Sequence, residues 1–191
     1  MKFIHTSILF FCLIISHNNY SYYQYIKFLK DVTIADIMTV GGKNASLGHM
    51  INALSSQGIR VPHGFAITVD GYNHYINSNN FTEKINLLLN EITDYTNIKQ
   101  LKNVSSSIRE LIENGTIPED LSHEICAAYQ ELSDYYNEKN CDVAVRSSAT
   151  AEDLPNASFA GQKIHFSMYK EKKIFFFITK NVLLLFLLTV Q

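Results

Sequence analysis

VGGKNASLGHMINALSSQGIRVPHGFAITV, residues 40–69, sets a glycine turn, an amphipathic helix, a second turn and a strand in one run. Leu47, Met50, Ile51 and Leu54 recur at helical spacing, which predicts a single helix with one apolar face. Gly58 supplies the left-handed residue on which such a helix stops. Val61-Pro62-His63-Gly64 then turns the chain into Phe65-Ala66-Ile67-Thr68-Val69, a short run of strand character.

Working outward, three further helices are expected. Asn80 and Glu83 have capping-box spacing ahead of Ile85, Leu88, Leu89 and Ile92. Val104, Ile108 and Leu111 form a second stripe, closed by Gly115. Thr116 and Glu119 repeat the cap, with Pro118 in the first turn, before Leu121, Ile125, Ala128, Leu132 and Tyr135. These stripes read as core faces rather than sites. Asp142-Val143-Ala144-Val145-Arg146 reads as a second strand, running into the loop Ser147-Ser148-Ala149-Thr150-Ala151-Glu152-Asp153. Helices and strands in this order, with no repeat and no flexible linker, predict an α+β fold in which helices pack on a small mixed sheet.

The 191 residues are 47% hydrophobic, a globular composition, and the formal charge of -2 with no basic stripe argues against nucleic acid as a partner. Cys12, Cys126 and Cys141 are odd in number and widely spaced, so neither a disulfide framework nor a zinc site is indicated. A reducing, cytoplasmic setting fits best. Both ends differ from the middle. Ile8 to Ile15 has the length of a signal-peptide hydrophobic run, but no small-residue cleavage site follows. Ile174 to Val190 is nearly all apolar, interrupted by Lys180, at the short limit for a membrane span. A secreted or membrane-attached protein using these ends is the alternative. The sequons at Asn80, Asn103, Asn114 and Asn156 suit it, but a chain rich in Asn and Ser carries them by chance. Neither membrane reading is favoured.

Two constellations could carry chemistry. Gly41-Gly42-Lys43 opens a helix: glycines let backbone approach a phosphate, the helix N-terminus adds partial positive charge, and Lys43 adds a full charge. The same residues can be no more than a turn, and they do not form a Walker A loop. Arg146 stands at the mouth of a strand ahead of Ser147, Ser148 and Thr150. Guanidinium and hydroxyls in that order can hold a polyphosphate. Equally, Arg146 can pair with Glu152 or Asp153 in a solvated loop.

Taken together, VGGKNASLGHM at 40–50, VPHGFAIT at 61–68 and AVRSSATAEDLPNASFAGQ at 144–162 are recognisable. From about Lys27 to Gln162 the chain resembles the N-terminal ATP-binding domain of the phosphoenolpyruvate synthase family, the pyruvate, water dikinases. The related pyruvate, phosphate dikinases look similar but usually carry GGKGA where this chain has GGKNA, and a fragment of that type is the other alternative. The resemblance implies a partial ATP-grasp-like nucleotide-binding domain with ATP and Mg²⁺ as its ligands. It implies that Lys43 and Arg146 contact the nucleotide phosphates, with Ser147, Ser148 and Thr150 as secondary contacts. The family reaction converts ATP, pyruvate and water to AMP, phosphoenolpyruvate and phosphate through a phosphohistidine.

His49, where the family usually has Glu, is not that histidine: the carrier sits in a Thr-Cys-His-Ala word absent from this chain. No catalytic residue and no metal ligand is assigned here, pyruvate is a partner only of the whole family enzyme, and no turnover is expected of this chain alone. The expected organisation is an apolar extension at 1–24, the N-terminal part of the ATP-binding domain at 25–166, and a divergent apolar tail at 167–191. From about residue 183 the tail reads as frameshifted. One codon choice for Phe186 to Gln191, read two nucleotides later, spells the family word Phe-Thr-Asp-Arg-Ala.

Overall fold

The computed structural model describes residues 23–146, Ser148, and the backbone of strand residues 153–154, 157–158 and 165–169. Residues 1–22 of the expected extension and residues 170–191 of the apolar tail lie outside the described residues.

The chain enters through strand β1 (Ile26–Phe28), then a short helix α1 (Ile37–Val40), helix α2 (Gly42–Leu54) and strand β2 (Phe65–Ile67). Four helices follow: α3 (Val69–Ser78), α4 (Phe81–Asn90), α5 (Ile98–Glu113) and α6 (Glu119–Tyr135). Strands β3 (Val143–Arg146), β4 (Asp153–Leu154), β5 (Ala157–Ser158) and β6 (His165–Tyr169) complete the described elements. Helix α2 forms where expected and closes through a 3-10 turn onto Gly58 at φ +75°, but its buried face is Ala45, Gly48 and Ile51, while Met50 of the expected stripe is exposed.

Elsewhere tertiary contacts overrule the local signals. The strand expected over 65–69 ends at Ile67 because Thr68 instead caps α3, its hydroxyl accepting the Gly71 N–H at 3.3 Å. Asn80 adopts the left-handed conformation at φ +54° and makes no side-chain cap. The neighbouring Asn79 carries the polar contacts: its amide donates to the Tyr75 and Thr116 carbonyls at 2.8 and 2.9 Å, and its oxygen accepts the Thr116 N–H at 2.9 Å. Pro118, not Thr116, therefore stands at the N-cap of α6.

The helical layer is built on one apolar cluster. Tyr72, Tyr75 and Ile76 of α3 meet Ile85 of α4, Val104, Ile108 and Ile112 of α5, and Leu121, Ile125 and Ala128 of α6. Leu121 and Ile125 are wholly excluded from water, and each such aliphatic side chain contributes about 1.5–3 kcal/mol by its burial. A second cluster of Leu29, Val32, Val40, Ala45, Ile51 and Ala66 seats α2 against β2.

The expected small mixed sheet is replaced, among the described residues, by three separate antiparallel pairs, β1 with β2, β3 with β6 and β4 with β5. Strands of two to five residues make few ladder bonds, and antiparallel pairing is the more stable per residue. The α+β class stands.

An ion pair ties β1 to the turn before α1. Lys27 Nζ lies 2.6 Å from Asp36 Oδ1, and the Thr33 N–H and hydroxyl donate to Oδ2 at 2.8 and 3.0 Å. The Lys27 hydrogen bond first, and the Thr33 amide second, pull the Asp36 carboxyl from 3.8 down to about 2. The folded value is the lower one, so the contribution is complete above the unfolded value and is lost as pH falls through the folded value. Asp36→Asn is expected to flatten the acid side of the stability curve between pH about 4 and about 2. Urea midpoints measured across that window check it; an acid limb unchanged from wild type would remove this assignment.

Candidate functional site

Helix α1 ends at Val40 and α2 starts at Gly42, leaving Gly41 as the only residue between them. Gly41 sits at φ +80°, ψ 161°, a combination open essentially to glycine alone. Its carbonyl accepts the first helical bond, from Ala45 N–H at 3.0 Å, so Gly41 is the N-cap residue. A glycine has no side chain to satisfy the first amides of the helix. The hydroxyl that does so comes from Ser148, which accepts the Asn44 N–H at 3.2 Å from 104 residues away. Asn44 also fixes the other flank of the turn, its side-chain amide donating to the Val40 carbonyl at 2.8 Å.

This contact is tight. Ser148 is only 4% exposed, and a Cβ placed on Gly41 would lie 2.4 Å from the Ser148 hydroxyl and 2.7 Å from its backbone carbonyl. Gly42 is the opposite case: among the described residues, a Cβ there would meet nothing within 4 Å. Among the described residues the turn is thus closed on one side by Ser148 and open beside Gly42. Lys43 follows, half-buried on the first turn of α2, where the helix adds partial positive charge to its own.

Strand β3 delivers Arg146 to the same neighbourhood. Arg146 is exposed at the end of the strand, two residues before the buried Ser148. A cavity of about 410 Å³ runs between β2 and β3, walled by Leu47, Phe65, Leu132 and Val145, with Asn44, Arg146 and Ser148 among its polar lining. Lys43 does not line it. The arrangement offers an exposed guanidinium, a lysine, a helix N-terminus and an open glycine beside a largely apolar hollow. That combination suits an anionic ligand with an apolar portion.

Of the five residues singled out from the sequence, Lys43, Arg146 and Ser148 belong to this one region, while Ser147 and Thr150 lie outside the described residues. So does Glu152, one of the two acids with which Arg146 could have paired. His49 lies exposed on α2. Sequence reasoning missed Asn44, whose two hydrogen bonds hold the turn from both sides. The only signal for it was the GGKNA word itself, where an amide side chain stands three residues into the turn. Among the described residues no three His, Cys, Asp or Glu side chains come together to hold a metal, and no helix is long and apolar enough to cross a membrane.

These motifs recur in known proteins. The profile of the family described as pyruvate phosphate dikinase, AMP/ATP-binding domain, matches residues 37–182. The phosphoenolpyruvate synthase of Helicobacter pylori is 51% identical over 140 residues, covering 73% of this chain and 17% of that protein. The phosphoenolpyruvate synthase of Aquifex aeolicus is 48% identical over 138 residues, covering 72% of this chain and 16% of that protein. A probable phosphoenolpyruvate synthase of Methanocaldococcus jannaschii is 43% identical over 151 residues, 79% of this chain and 12% of that protein. The chain therefore spans 12–17% of the length of these relatives. With a match running from α1 through the glycine turn and Arg146, the chain belongs to the pyruvate phosphate dikinase AMP/ATP-binding domain family, and within it is similar to the phosphoenolpyruvate synthases.

Proposed function

We propose that this chain carries the phosphate-gripping part of an Mg-ATP site in a phosphoenolpyruvate synthase, within a partial ATP-grasp-like domain at 25–166. The observation that carries the reading is the hydrogen bond from Asn44 N–H to Ser148, which joins the glycine turn to the end of β3 across 104 residues. Lys43 and Arg146 neutralise and position the polyphosphate, the main contribution a protein makes to phosphoryl transfer. Gly42 leaves the backbone open for a phosphate oxygen, and Ser147 and Thr150 add hydroxyl contacts. The cavity between β2 and β3 lies in the size range of small-ligand sites and takes an apolar part of the nucleotide.

No magnesium ligand is assigned among the described residues, where no three His, Cys, Asp or Glu side chains gather. Pyruvate belongs to the reaction of the whole enzyme. The unpaired thiols of Cys126 and Cys141 support a cytoplasmic setting.

Calorimetric titration with Mg-ATP tests the reading. Lys43→Ala and Arg146→Ala should each weaken binding by about 10- to 100-fold, the worth of a hydrogen bond to a charged group. Gly42→Ala should also weaken it, by filling the open approach, while the melting temperature does not fall, because the new methyl meets none of the described residues. Wild-type affinity in all three variants would sink the assignment.

A further inference from the structure

We propose that Ser148 is a positioning residue, which sets the phosphate turn by capping α2 from outside and does not itself grip the phosphates. The inference rests on the ATP reading above and deepens it.

A serine at the N-cap of a helix ordinarily accepts an amide of the second or third residue of its own helix. Here the N-cap is Gly41, and the third residue, Asn44, gives its N–H to Ser148 at 3.2 Å. The hydroxyl is buried, at 4% exposure, and packed against Gly41. Its oxygen thus already accepts from the protein, on the closed side of the turn, while among the described residues the open side is at Gly42. Ser148 also stands two residues beyond Arg146 on the same strand end. One neutral hydroxyl therefore registers the strand that bears Arg146 against the turn that bears Lys43. Both charges are then placed before the ligand arrives, and a ligand that finds its contacts preorganised binds without the cost of ordering them.

On this role, removing the hydroxyl removes no charge and no phosphate contact, which separates it from the role of Arg146. Ser148→Ala should weaken Mg-ATP and inorganic tripolyphosphate equally, by about 3- to 30-fold, the worth of a lost cap, and should leave adenosine unchanged within about twofold. The double variant Arg146→Ala/Ser148→Ala should lose less tripolyphosphate affinity than the two single losses combined, since positioning an absent guanidinium has no value and only the Lys43 turn is left to disturb. Amide hydrogen exchange at Asn44 should accelerate in Ser148→Ala without ligand, and this readout works even where the variant is less stable overall. Tripolyphosphate affinity unchanged in Ser148→Ala, equal losses for adenosine and tripolyphosphate, or full additivity with Arg146→Ala would each overturn the positioning role. A wild type that binds no tripolyphosphate would overturn the ATP reading and this role with it. Faster Asn44 exchange in Ser148→Ala would then show that the ligand assignment failed and the cap did not.

Discussion

Gly41→Ala is expected to abolish measurable Mg-ATP binding and to lower the melting temperature by about 2–10 °C. Two independent costs meet at this residue. The backbone at φ +80°, ψ 161° lies where residues with a side chain are strained by roughly 1–3 kcal/mol. The added Cβ would also lie 2.4 Å from the Ser148 hydroxyl and 2.7 Å from the Ser148 carbonyl carbon and oxygen. A rotamer change relieves the first of these contacts but not the two with backbone. Either the junction of α1 and α2 relaxes or the end of β3 moves away, and both movements break the Asn44–Ser148 bond and detach Arg146 from the turn. Thermal unfolding and Mg-ATP titration, run beside Gly42→Ala, provide the comparison. One methyl added at adjacent residues should destabilise and disarm the site at 41, but only obstruct the ligand at 42. A Gly41→Ala protein that melts and binds like wild type would show that the turn is not built this way.

Gly48→Ala is expected to destabilise the fold by about 1–3 kcal/mol, although it replaces the poorer helix former with the better. Gly48 lies in the interior of α2, where alanine alone would gain about 1 kcal/mol of helix propensity. The methyl, however, would lie 2.4 Å from the Val32 carbonyl oxygen, 2.7 Å from Val32 Cβ and 2.9 Å from the Leu29 carbonyl oxygen. These atoms are poorly able to yield. Val32 is wholly buried, and its carbonyl also accepts the Asn52 side-chain amide at 3.2 Å. Helix α2 must therefore lift from the segment beneath it, opening the cluster of Leu29, Val32, Ala45 and Ile51. A fall in the urea midpoint at unchanged m-value is the signature of such a loss. A midpoint raised by the substitution would mean that propensity outweighs the contact, and that α2 does not seat so closely.

The extent of helix α2 was legible because its information is local, a glycine turn before it and a left-handed glycine after it, but its buried face was not, since Ala45 and Gly48 rather than Met50 accompany Ile51 there. The last strand before the site was legible on similar grounds, as three β-branched or small residues, Val143, Ala144 and Val145, followed by Arg146. Helix α3 was not. Its buried face is made by Tyr72, Tyr75 and Ile76 among Asp, Asn and His, and tyrosines that are apolar on one side and polar at the tip blur the stripe. The caps expected at Asn80 and Thr116 were displaced for a related reason. A single amide side chain, Asn79, bonds across to the segment before α6, and no spacing rule within either helix can foresee that bond.

At the site the sequence alone settled the chemistry on offer: a lysine on a glycine turn, an arginine at a strand end with hydroxyls beyond it, and the family to which those words belong. Only the tertiary structure distinguished Gly41, closed by Ser148 and held at a positive φ, from Gly42, which is open among the described residues. Only the tertiary structure turned Ser148 from a hydroxyl in a loop into the cap of a helix 104 residues earlier. The division has a physical cause. Side-chain type and periodicity are properties of neighbouring residues, whereas the partner of a hydroxyl and the space beside a Cα are set by which surfaces the fold brings together.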